Sequence, residues 1–111
     1  MLALTEDTLA RIRVLFPPEQ QQYVASILEE ECGNNLPFRE NATPETAERI
    51  RFAVLKLSEG KLEKFIKSVV IAKRDWRDAL VWSGFGNNLE AHKQWFPTPP
   101  NTPNRSEDGE L

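Results

Sequence analysis

Wherever apolar residues gather in this chain they recur three and four positions apart, and proline or glycine closes nearly every such run. A sheet would need alternating β-branched runs bounded by turns, and none is present. Only "SVVIA" at 68–72 is rich in β-branched residues, and it falls inside a helical period. The periodicity therefore predicts an all-α fold.

The first helix starts at Thr5, a capping residue, with Glu6 and Asp7 at the positive end of the helix dipole. Leu9, Ile12 and Phe16 share a face, and Pro17 and Pro18 end the run. Pro18 suits the first turn of a second helix that runs through "EQQQYVASILEEEC" to Gly33, with Tyr23, Val24, Ile27 and Leu28 as its apolar stripe. Glu29, Glu30 and Glu31 sit at the negative end of that helix and call for basic neighbours or open water.

The connection "GNNLPFRENA" holds turn formers around Leu36 and Phe38, two plug residues for the core. Thr43, Pro44 and Glu45 start the third helix. Its Ala47, Ile50, Val54 and Leu57 fall on one face, while Phe52 and Leu55 fall elsewhere. A helix apolar on two sides belongs at the centre of a bundle; the alternative makes Phe52 an exposed anchor for a partner. Ser58 is the expected cap of a fourth helix, and Gly60 marks a tight break before it. Leu62, Phe65, Ile66, Val69 and Val70 form a strong stripe there, with Lys61, Lys64 and Lys67 on the opposite side. Two short helices follow, Asp75 to Ser83 and Asn88 to about Trp95, around the turn "GFGNN".

At 111 residues, with 40% apolar and 28% charged content, the chain has the size and balance of one globular domain. The expected architecture is a compact orthogonal bundle of five or six short helices over residues 1–96, with a disordered Pro-rich and acidic tail over 97–111. A single cysteine, Cys32, permits no internal disulfide, and the opening "MLALTEDTLARIRVLF" has no basic n-region, so a cytoplasmic location is expected. No apolar run is long enough to span a bilayer, and no membrane partner is expected. Charge is segregated. Residues 17–48 hold seven acids against one arginine, whereas 49–77 hold nine Lys/Arg against three acids. Such asymmetry marks a surface for a charged partner or two neighbouring solvated helices.

The stretch 75–95 gathers all three tryptophans, the only histidine, and Asp75 and Asp78. Two acids three apart at a helix start fit a capping box with Asp in place of the usual Glu. Arg74 and Arg77 flank Trp76, so a guanidinium can lie over the indole. His92 shares the apolar face of its helix with Leu89, Trp95 and Phe96, which predicts a core histidine with one satisfied nitrogen. No second His and no paired Cys accompany it, so no metal or cofactor signature forms. Cys32 follows three glutamates at a helix C-terminus, a setting that raises a thiol pKa and argues against a nucleophile. "GNNL" occurs twice, at 33–36 and 86–89, and is read as convergent turn chemistry. Pro97, Pro100 and Pro103 carry the three-residue spacing of a polyproline II ligand, against a plain solubilising terminus.

These residues point to a small protein-interaction or regulatory module without a cofactor. Its partner is a protein, an acidic one being the match for Lys61, Lys64, Lys67, Arg74 and Arg77, with Phe52 and Trp82 as aromatic anchors. The alternative is a helix-turn-helix-like DNA binder built from 75–83 and 88–95, although its second helix offers only Lys93 for phosphate contacts. An enzyme using Asp78 and His92 is the third possibility. Trp76, Leu80, Trp82 and Trp95 are expected to close one end of the core.

Overall fold

The computed structural model describes residues 4–32, 44–86 and 90–97. Among these residues there are six α-helices and no strands: α1 (Glu6–Leu15), α2 (Pro18–Glu31), α3 (Pro44–Ser58), α4 (Leu62–Arg74), α5 (Trp76–Ser83) and α6 (Ala91–Gln94). The Leu36 and Phe38 plug, the Thr43 cap, most of both "GNNL" segments and the tail beyond Pro97 lie outside the described residues.

Thr5 caps α1 as its chemistry predicts, its hydroxyl accepting from the Thr8 N–H at 3.1 Å. That hydroxyl also donates to Glu48 on α3 at 2.5 Å, so the cap doubles as a tie between helices. The Pro17–Pro18 corner turns the chain into α2, and Gln21 closes the corner by donating to the Phe16 carbonyl at 2.9 Å. At the far end of α2 the negative pole does meet basic groups. Arg51 donates from Nε to the Cys32 carbonyl at 2.9 Å, and Lys73 pairs with Glu31. The acidic and basic segments thus join within one chain.

Helix α3 is the centre of the bundle and packs against α1, α4, α5 and α6. Ala47, Ile50, Arg51, Phe52, Ala53, Val54, Leu55 and Ser58 are all buried, which covers most of its circumference and leaves a narrow exposed edge at Glu45 and Lys56. Ser58 differs from expectation: it ends α3 instead of capping α4. Its hydroxyl donates to the Leu55 carbonyl at 2.6 Å and accepts from the Gly60 N–H at 3.2 Å. The reversal is made by Glu59 at φ 54° and Gly60 at φ 78°, a left-handed pair for which Gly60 is the apt residue. Helix α4 then starts at Leu62 after Lys61, without a side-chain cap.

Asp75 ends α4 and caps α5, accepting from the Arg77 N–H at 3.1 Å. Helix α5 closes on Gly84 at φ 88°, with the Phe85 N–H on the Leu80 carbonyl at 2.9 Å and the Gly84 N–H on that of Val81 at 3.1 Å. This is a Schellman ending, and it drops Phe85 into the core beside Leu80. Helix α6 is a single turn, shorter than the expected 88–95. The chain leaves it at Trp95, two residues before Pro97, and Arg11 of α1 takes the Trp95 carbonyl, from Nε at 3.2 Å and from Nη2 at 2.8 Å. Residues 95–97 then lie across α1 as a strap, and Pro97 is buried, one residue past the expected domain end. Of the four residues expected to close one end of the core, Leu80 is buried and Trp76 and Trp95 pack against the core, but Trp82 is 61% exposed.

Candidate protein interface

Helix α4 is strongly amphipathic, yet its apolar stripe and its buried face do not coincide. At about 100° per residue, Leu62, Phe65, Ile66, Val69 and Val70 centre about 80° away from the buried set Phe65, Ser68, Val69 and Ala72. The bundle therefore covers Ser68 and leaves Ile66 37% and Val70 51% exposed. Helix α2 repeats the mismatch: Val24 and Leu28 are fully buried, while Tyr23 is 51% exposed. The two uncovered edges face each other. Tyr23, Leu62 and Ile66, with Glu19, Gln20 and Glu63 at the rim, line an open and largely apolar groove of about 410 Å³.

The outer face of α4 also has a charge order. Glu63 stands at its N-terminal end, Lys67 beside Val70, and Lys73 and Arg74 at its C-terminal end. Among the described residues Glu63, Lys67 and Arg74 make no ion pair, whereas Lys73 is held by Glu31. Of the five basic residues singled out from the sequence, Lys64 and Arg77 are held by acidic partners. Lys67 and Arg74 share the face that carries Ile66 and Val70. Lys64 turns toward Glu59, which it meets at 2.6 Å, and exposed Lys61 precedes the helix at its N-cap. Arg77 pairs with Asp75 at 3.0 Å, and this bond holds the Asp75 carboxyl below its ordinary range. Trp82 and Val81 stand exposed on α5.

Phe52 is not a surface anchor. It is 1% exposed, because α1 and the segment from His92 to Trp95 cover that side of α3, with the Arg11 guanidinium 4.1 Å above its ring and His92 and Trp95 around it. Asp78 stands exposed on α5 while His92 is buried against Phe52 and Phe85, and no hydrogen bond joins the two among the described residues. Burial pushes the Cys32 thiol up to about 12, which keeps it protonated. No three His, Cys, Asp or Glu side chains among the described residues are placed to hold a metal ion. None of the described helices is long and apolar enough to cross a membrane.

Two residues that organise this architecture carry no sequence signal of their own. Arg11 and Arg51 are 6% and 2% exposed, and long basic side chains ordinarily read as surface. The one available clue was positional: Arg11 lies next to Ile12 on the inward side of α1, and Arg51 lies between Ile50 and Phe52.

His92 departs from expectation in one respect, since neither ring nitrogen has a hydrogen-bond partner among the described residues. Burial is the main cause that lowers its pKa from 6.5, helped by Lys93 and Arg49 and opposed by Glu48 and Glu90. The folded state thus favours the neutral ring. Its stabilising contribution is complete above pH 6.5 and falls as pH drops below that, because only the unfolded chain takes up the proton until the folded pKa is reached. We expect His92→Leu to melt near the wild type at pH 7.5 and to lose less stability than the wild type by pH 5.5. Thermal melts across that range check it; parallel pH profiles for the two proteins would contradict an unpartnered, buried imidazole.

Comparison of the chain with protein-family models, curated proteins and solved structures returned no match. Its class is therefore defined by its own geometry, an all-α bundle with an uncovered apolar edge on α2 and α4.

Proposed function

We propose that this domain is a cytoplasmic protein-interaction module of regulatory type, and that its contact face is the outer side of α4 continued along α5. The observation that carries this reading is the rotation of the α4 stripe away from the buried face. A helix that only filled a core would bury its most apolar side, yet Ile66 and Val70 face water here and Tyr23 lies across a groove from Ile66. Lys67 and Arg74 on the same face, with Lys61, Lys64 and Arg77 around it, favour encounter with an acidic protein surface, and Trp82 supplies an aromatic anchor. The buried free thiol of Cys32 fits a reducing compartment. The DNA-binding alternative has less support, since the helix that would read the groove is four residues long and turns His92 inward.

The test is recovery of partners from cell lysate by the tagged chain at low and moderate salt, with and without nuclease. Trp82→Ala and a Lys61→Glu, Lys64→Glu, Lys67→Glu triple variant serve as controls. A protein that survives nuclease and is lost with both variants is expected. Material that disappears on nuclease treatment turns the reading to nucleic acid.

A further inference from the structure

We propose that the occupant of the groove between α2 and α4 is a second copy of this chain, packed through an antiparallel pair of α4 helices about a two-fold axis. This inference rests on the interaction reading above and names the partner for its apolar part.

The outer face of α4 has the order that such a pairing demands. Its apolar residues Ile66 and Val70 lie in the middle, Glu63 lies at one end and Arg74 at the other, and all four are exposed. With a rise of about 1.5 Å per residue, Glu63 and Arg74 sit equally far, roughly 8 Å, from the point midway between them. A two-fold axis through that point sets Glu63 of each copy opposite Arg74 of the other. It also lays Ile66 and Val70 over the same two residues of the second copy, with Leu62 and Tyr23 beside Ile66. A parallel pairing would instead set Glu63 against Glu63 and Arg74 against Arg74. The arrangement is self-complementary, so it closes at two copies and exposes no further half-site. Antiparallel helix dipoles add to it. Neither charge has to abandon an existing bond, because among the described residues Glu63 and Arg74 make no ion pair, while Lys73 keeps Glu31 of its own chain. Lys67 lies about 60° round from Val70, at the edge of the contact, where its charge stays in water. The apolar strip is short, so the dimer is expected to be reversible and dependent on concentration.

Sedimentation equilibrium of the full chain, from low-micromolar to near-millimolar concentration, reads this directly. The wild type is expected to move from monomer toward dimer. Glu63→Arg and Arg74→Glu should each weaken the association tenfold or more, and the double swap Glu63→Arg/Arg74→Glu should restore it. Val70→Asp should hold the chain monomeric while its melting temperature stays within a few degrees of wild type, since Val70 is 51% exposed. The double swap is the decisive arm, because restoration requires these two positions to meet across copies. A wild type that stays monomeric throughout, or a swap that fails to restore association although both single variants weaken it, overturns the proposal. If the protein captured from lysate is still retained in that case, the interaction reading survives without the dimer; if a dimer forms and nothing is captured, the dimer stands and the heterologous partner falls.

Discussion

Phe52→Ala should lower stability by about 3–5 kcal/mol, the cost of emptying a buried aromatic site. In a domain of this size that is a fall in melting temperature of more than about 12 °C. The ring is 1% exposed and is held between the Arg11 guanidinium, His92 and Trp95, so truncation removes the floor on which the C-terminal strap rests. Trp82→Ala is the matched control. Its side chain is 61% exposed, and substitution there should change stability by no more than about 0.5 kcal/mol. Thermal or urea melts of the two variants separate core from anchor, and an unchanged melt for Phe52→Ala would return that residue to the surface.

Arg51 carries the second large effect. Its guanidinium is buried beneath α2 and donates to the Cys32 carbonyl, a group that the helix end leaves without an intrahelical partner. Arg51→Met keeps most of the packed stem and leaves that carbonyl without this donor, at a cost of about 1–3 kcal/mol. Arg51→Ala adds a cavity of several methylenes, which brings the loss to about 3–5 kcal/mol. The expected order of stability in urea is wild type, then Met, then Ala. Equal midpoints for all three would mean that the guanidinium lies in solvent.

Much of the backbone was legible from local chemistry. Thr5 with Glu6 and Asp7, the Pro17–Pro18 corner, Gly60 and Asp75 act locally, and each marks a boundary within one or two residues of where it lies. The central place of α3 was legible too, because only a helix covered on several sides can use Phe52 and Leu55 as well as Ile50 and Val54. What escaped depends on partners remote in sequence. The clasp itself joins Arg11 to the Trp95 carbonyl across 84 positions, a partner that no window around residue 95 contains. The face that α4 buries is chosen by α3 and α5, so its apolar period locates the stripe without saying how much of it is covered. Ser58 is an apt capping residue by type, yet the left-handed Glu59–Gly60 pair places the next helix three residues further on.

The bond from Arg11 to the Trp95 carbonyl also bears on the order in which the molecule assembles. Its two ends are 84 residues apart, close to the greatest separation the domain allows, and closing so long a loop is entropically unfavourable until the intervening chain is in place. Helices α3, α4 and α5 follow one another with short turns and can dock first, and the clasp is expected to form after the rate-limiting barrier. Interactions made that late restrain unfolding without hastening folding, so the strap works as a latch on an already built bundle, lengthening the lifetime of the native state more than it speeds arrival there.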